Sequence, residues 1–200
     1  MAKVNLYNEE LESKKEERIA LFSGGLDSVA MVHFWKPDYL LYCTIGHRYQ
    51  ERELAAISKM ELSCPIIYDH SLNLCSWERR DAIIPLRNLF FTMVASRYGD
   101  RIAMGVLHGE VNGDKSIEFR EQASKLMSLC YDKSYWCEGR EIEIEYPISQ
   151  WTKAELIKEY LDRGYPLESL TNSRSCYSEG DLPCGHCSCS FTFFCLCAWV

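Results

Sequence analysis

Apolar residues fall along the chain in two alternating rhythms. Compact runs at Ile19 to Phe22, Tyr39 to Ile45 and Pro65 to Tyr68 read as strands. Between them, Leu26 to Trp35 and Gln50 to Leu62 carry helical spacing, the second with Leu54, Ile57 and Met60 along it. Asn88 to Tyr98 predicts a helix stopped by Gly99, and Ile102 to Val106 a further strand. Ser116 caps a helix whose apolar face is Phe119, Ala123, Leu126, Met127 and Cys130. Ile142, Ile144, Tyr146 and Ile148 then alternate with Glu143 and Glu145, a strand with one wet face and hence one for the edge of a sheet. Thr152-Lys153-Ala154-Glu155 is a capping box, and Gly164 ends the helix it opens. Past Leu170 the periodicity fades and cysteines concentrate.

Strands and helices in strict alternation predict an α/β fold, a mostly parallel sheet with helices on both faces and a binding crevice at the carboxyl ends of its strands. Three stretches follow: a charged leader over 1–18, the α/β domain over 19–169 and a cysteine-rich C-terminal segment over 170–200. At 200 residues, 47% hydrophobic and 26% charged, the chain can bury one sizeable core. Acids outnumber bases 29 to 22, so bulk charge does not hold this protein on nucleic acid or anionic lipid. The cysteine count, 11, is odd, the leader lacks an apolar secretion signal, and the longest uncharged apolar-rich run, Ser190 to Val200, is too short to cross a bilayer. A cytoplasmic protein without a membrane partner is expected, in a reducing compartment where clustered cysteines hold metal rather than each other.

The chemistry concentrates in Ser23-Gly24-Gly25-Leu26-Asp27-Ser28, which lies after the first strand and opens the first helix. Two glycines let the backbone pass close to an oxyanion, and the free amides of the first helical turn favour negative charge there. No lysine follows the glycines as a Walker A loop would require. The plainer alternative is a tight turn in which Ser23 and Asp27 only satisfy backbone amides.

A second cluster joins Cys176, Cys184, Cys187 and Cys189, with Cys184-Gly185-His186-Cys187 as a CxxC knuckle suited to tetrahedral Zn²⁺. His186, Cys195 and Cys197 compete with Cys189 for the fourth position.

The six-residue string matches SGGxDS, and in its first two strands the chain resembles the PP-loop ATP pyrophosphatases. That resemblance implies ATP cleaved between its α and β phosphates. Phe22, Ser23, Gly24, Gly25, Leu26 and Ser28 would surround the nucleotide, and Asp27 would orient the loop or a Mg²⁺ ion. Arg87-Asn88 followed by Phe90 and Phe91, Gly105-Val106, Asp114 with Phe119, Thr152 to Glu155, Ser175-Cys176-Tyr177 and Pro183 to Cys187 keep an order similar to that of the 7-cyano-7-deazaguanine synthase family. The resemblance runs from about Ile19 to Cys189.

It implies an ATP-dependent ligase that converts 7-carboxy-7-deazaguanine and ammonia to the nitrile, or a variant that halts at the amide, with bound zinc and no direct nucleic-acid contact; a homodimer is compatible with it. Arg87 and Asn88 would line the crevice, Arg87 offsetting charge on triphosphate or substrate carboxylate. Lys153 and Arg48 would reach the nucleotide, and Asp114 the purine-like edge. The chain departs from the family in three places. Gly46-His47-Arg48-Tyr49 stands for GQRH, Asn112 to Ser116 replaces GYPDCR, and Ser190 falls where the last knuckle cysteine belongs. The competing functions are a tRNA-modifying adenylating enzyme, which would call for a basic face and an RNA-binding module, and a catalytically weakened, zinc-stabilised binding protein.

Overall fold

The computed structural model describes residues 16–81, 83–110, 113–135 and 138–176. The leader up to residue 15 and the expected ligands Cys184, Cys187 and Cys189 lie outside the described residues. Five strands, β1 (Arg18–Leu21), β2 (Tyr39–Cys43), β3 (Ile66–Asp69), β4 (Arg101–Ala103) and β5 (Glu143–Glu145), form one sheet in the order β3-β2-β1-β4-β5. Every pairing is parallel, with Ile19 opposite Tyr39 on one side and Ile102 on the other. The helices are α1 (Leu26–Trp35), α2 (Gln50–Ile57), α3 (Arg87–Ala95), α4 (Ile117–Cys130), α5 (Lys153–Asp162) and α6 (Leu167–Thr171).

Side chains of the inner strands alternate between two cores, as the pleat requires. Ala20, Leu40, Tyr42 and Ala103 face α1, α2, α5 and α6 through Val29, Ile57, Leu156, Tyr160 and Leu170. Ile19, Leu41, Ile102 and Ile144 face α3 and α4 through Val94, Ala95, Ala123 and Met127. Helix α1 is covered on nearly every side because α5 and α6 close over its outer surface. There His33 meets the rings of Tyr160 and Tyr165 at 5.0 Å, and Phe34 meets Trp151 at 4.8 Å.

Local chemistry sets the helix ends. Ser116 accepts the Phe119 amide at 3.0 Å, and at α5 the Thr152 amide donates to Glu155 at 2.8 Å while Thr152 Oγ1 accepts from the Glu155 amide. Several elements stop earlier than expected, among them β2 at Cys43, not Ile45, and α3 at Ala95, not Tyr98. Helix α2 ends at Ile57, not Leu62, because bonds such as Met60 amide to Ile57 carbonyl, 3.1 Å, tighten the chain into a turn. Met60 and Leu62 still pack on the core from that turn. Strand β4 ends at Ala103, not Val106, where the Val106 amide bends back to the Met104 carbonyl at 2.9 Å.

Strand β5 lies at the sheet edge, as its wet face predicts. Its outer backbone is not left open: the Ile144 amide donates to Ser124 Oγ at 3.0 Å and the Ile142 amide to Ser128 Oγ at 2.9 Å, both serines on α4.

At the carboxyl end of β3, Asp69 is 5% exposed and accepts from the Tyr98 hydroxyl at 2.6 Å, the Ser71 amide at 2.8 Å and the Ser71 hydroxyl. Burial pushes its carboxyl up, but the bonds from Ser71 and Tyr98, with Arg97 nearby, outweigh that and hold it below its ordinary value. A carboxylate so depressed adds stability above its unfolded-state pKa and loses it as pH falls through the folded value. Tyr98→Phe removes one of those donors and is expected to cost about 1 kcal/mol near neutral pH. The acid-unfolding midpoint should move to higher pH, followed by circular dichroism; a midpoint that stays put would count against the network.

Candidate active site

Strand order reverses direction between β1 and β4, and in open parallel sheets the two loops leaving such a point diverge and frame a crevice. Here it measures about 360 Å³ and is lined by the corner after β1, the residues after β4, and the beginnings of α3 and α5.

The corner is built by two glycines. Gly24 takes φ +71°, and a Cβ on it would stand 2.8 Å from Cγ1 of Ile57, so α2 abuts the loop and any side chain there is both strained and blocked. Gly25 is the N-cap of α1 and has no side chain to satisfy the amides behind it. Serine hydroxyls stand where the oxygens of an anion would accept. Ser175 Oγ takes the Leu26 amide at 3.0 Å, Ser23 Oγ the Gly25 amide at 3.4 Å and Ser28 Oγ the Ser23 amide at 3.4 Å. The last two are at the weak end of the range, so an anion can displace them at little cost.

Asp27, in the first turn of α1, points into the same crevice. Lys153 Nζ lies 3.2 Å from its Oδ2, whereas Oδ1 is buried with no hydrogen-bond partner among the described residues. Burial pushes the carboxyl above its ordinary value, and Lys153 recovers only part of that. An orphaned, buried carboxylate oxygen beside an anion-accepting corner is a donor suited to Mg²⁺. Lys153 begins α5, where the helix dipole disfavours a cation, and its reach to Asp27 supplies the compensation.

Arg87 and Asn88 open α3. Leu86, just ahead of them, adopts φ +62°, a conformation that costs an L-residue about 1–2 kcal/mol, and both following side chains line the crevice. Asn88 is buried and donates to the Asp114 carbonyl at 3.4 Å. Arg87 stands 5.9 Å from the Phe91 ring and lines the crevice with no carboxylate partner among the described residues.

Two expected residues sit elsewhere. Arg48 pairs with Glu78, and its Nη2 donates to the Arg79 carbonyl at 2.9 Å; it does not line the crevice. Asp114 contributes its backbone carbonyl to Asn88 but is not among the lining side chains. In their place stand His47, the neighbour of Arg48, and Lys115, the neighbour of Asp114. Glu53 and Glu110 also line it, and neither is singled out by the sequence. Lys115 Nζ meets Glu110 at 3.0 Å.

Of the four expected zinc ligands only Cys176 is described; it is buried at the far end of the Arg174 to Cys176 stretch that crosses the corner. Among the described residues no cluster of His, Cys, Asp and Glu could hold a metal by itself. The other three expected zinc ligands lie outside those residues.

An open parallel α/β sheet with a glycine corner and a helix N-terminus at its switch point defines a class of proteins that take phosphate-bearing ligands at the carboxyl ends of their strands. Comparison with known proteins narrows that class. A family model described as queuosine biosynthesis protein QueC matches residues 67–192, and the chain belongs to that family. It is 29% identical over 201 aligned positions to the 7-cyano-7-deazaguanine synthase of Synechococcus sp. (strain CC9605), covering 84% of this chain and 87% of that protein. To the 7-cyano-7-deazaguanine synthase of Aliarcobacter butzleri (strain RM4018) it is 25% identical, with 86% of each chain covered. Among the described residues no helix is long and apolar enough to cross a membrane.

Proposed function

We propose that the protein is an ATP-dependent ligase that activates the carboxylate of 7-carboxy-7-deazaguanine by adenylation and uses ammonia to form 7-cyano-7-deazaguanine, through the amide. The carrying observation is the buried, unpartnered Oδ1 of Asp27 beside Lys153 in a crevice that also opens on the α1 amides. The similarity to 7-cyano-7-deazaguanine synthases supports the choice of substrate.

A carboxylate is a poor electrophile until one oxygen becomes a good leaving group. In this reading a substrate carboxylate oxygen attacks the α-phosphorus of ATP, and the bond to pyrophosphate breaks. Gly24, Gly25 and the α1 amides receive the departing pyrophosphate at the corner. Asp27 would hold a Mg²⁺ ion, which would supply neutralising charge there. Ammonia attacks the acyl carbon, AMP leaves, and a proton is lost to give the amide. A second ATP adenylates the amide oxygen with release of pyrophosphate, and loss of AMP and both N–H protons of the amide then gives the nitrile. Arg87 offsets the anionic carboxylate or phosphate, and Lys153 orients Asp27 and offsets part of the burial that disfavours its charge. Most of the rate gain comes from holding the two reactants in line. Cys176, with Cys184, Cys187 and Cys189, would hold a structural Zn²⁺.

The test is to incubate the protein with ATP, Mg²⁺, ammonium and 7-carboxy-7-deazaguanine and follow AMP and product mass. AMP released only with substrate, with the nitrile as product, supports the reading; an amide end product shortens it by one adenylation, and no substrate-dependent AMP removes it. Metal analysis of the same preparation is expected to find about one zinc per chain, lost together with thermal stability in Cys187→Ser. A fully stable, metal-free protein would remove the knuckle.

A further inference from the structure

The crevice holds three carboxylates, and they are not equivalent. Asp27 is met by Lys153 at 3.2 Å and Glu110 by Lys115 at 3.0 Å. Glu53, on α2, is paired with neither lysine nor arginine among the described residues. Its Oε2 accepts the Tyr42 hydroxyl at 2.9 Å and lies 3.3 Å from His47 Nε2, while Oε1 makes no hydrogen bond among the described residues. The side chain is only 12% exposed. Two groups therefore fix one oxygen and leave its twin for a ligand.

Position and charge together say which ligand. Glu53 precedes by one helical turn Ile57, the residue packed against Gly24, so its carboxylate stands beside the carboxyl end of β2, next to the phosphate corner. A carboxylate there repels phosphate and substrate carboxylate, both of which Arg87 can serve. It welcomes neutral hydroxyl donors. In a nucleotide gripped by its phosphates, the adjoining group is the ribose, whose vicinal hydroxyls are such donors. Open α/β sheets that bind nucleotides at the first strand commonly meet the ribose with an acid that follows the second.

We infer that Glu53 binds the ribose hydroxyls of the nucleotide, with Tyr42 and His47 as positioning residues that hold its carboxylate. This rests on the nucleotide reading of the same crevice. Glu53 thereby selects ribonucleotides over deoxyribonucleotides, and the choice is made on the β2 side of the crevice, away from the α3 side where the substrate carboxylate is served.

Equilibrium binding of ATP, 2′-deoxy-ATP and 3′-deoxy-ATP with Mg²⁺, measured by calorimetry without the second substrate, tests this directly. Wild-type protein is expected to prefer ATP over at least one deoxy form by about tenfold or more. Glu53→Gln, which keeps size and an acceptor oxygen but not the charge, should weaken ATP by about tenfold and bind that deoxy form as wild type does. Tyr42→Phe leaves the carboxylate in place, so it should weaken ATP less and keep the preference. Equal losses for all three nucleotides in Glu53→Gln, or a wild-type protein indifferent to both hydroxyls, overturns the assignment while leaving nucleotide binding intact. A protein that binds none of the three overturns the nucleotide reading as well.

Discussion

Asp27→Asn is expected to lose AMP formation by a factor of about 10² to 10³ or more while melting no lower than the wild type. The two halves of that expectation come from the same oxygen. Oδ1 of Asp27 is buried without a partner among the described residues, a situation that costs about 1–3 kcal/mol and more for a charged group. Asparagine fills the same space without burying a charge. The substitution releases Lys153 Nζ from its 3.2 Å contact, but that side chain is 27% exposed and can be hydrated where it stands. Stability is therefore held or raised, whereas the crevice loses the anion that would anchor Mg²⁺ and steady the lysine. Initial rates of AMP release, read beside a thermal melt, separate the outcomes. Unchanged turnover would remove Asp27 from the chemistry, and a melt lowered by many degrees would make it a structural residue.

The second large effect lies at the opposite end of the sheet. Arg140 donates from Nε to Asp100 at 2.7 Å and from Nη2 to the Ser96 carbonyl at 2.8 Å, with its guanidinium 4.7 Å from the Tyr131 ring. The two side chains are 9% and 12% exposed. Asp100 also offers its carbonyl to the Glu143 amide at 2.8 Å, so the pair joins the end of α3, the entry to β4 and the entry to β5. Removing the guanidinium strands a buried carboxylate, which costs about 3–5 kcal/mol. At about 2–4 °C per kcal/mol for a chain of this size, Arg140→Ala should melt roughly 6–20 °C lower. Replacing both partners, as in Asp100→Asn with Arg140→Met, should recover much of the loss because no lone charge remains. A single variant within about 3 °C of wild type would show that Asp100 finds water or another cation. At a temperature where the variant stays folded, its nucleotide affinity should match wild type, since none of these groups lines the crevice.

The scaffold was legible wherever the determinants are local. Helix α1 runs from Leu26 to Trp35 as its apolar run predicts, because a glycine corner starts it and Pro37 prevents its extension. Ser116 and the Thr152 to Glu155 box mark the starts of α4 and α5. Helix α6 goes unpredicted, since five residues are too few to show a period. The crevice divides along the same line. Asp27 and Lys153 sit at the first turns of helices whose starts can be read, and both reach it. Arg48 is drawn aside by Glu78, thirty residues further along the chain, a pairing that no local pattern announces. Glu53 looks from sequence like any acid favoured by the dipole in a first helical turn, and only the approach of Tyr42 from β2 sets it apart.

The serines that α4 lends to the last strand have a bearing on how this protein behaves in a crowded solution. An exposed strand invites any passing strand to continue the ladder, and that is how many sheets polymerise or swap partners. Here a newcomer would first have to strip Ser124 and Ser128 from the amides they occupy and push a fourteen-residue helix off the border. Among the described residues, joining two copies into a continuous ten-strand sheet at β5 is thereby disfavoured, and the border at β3 is the more open of the two sheet edges.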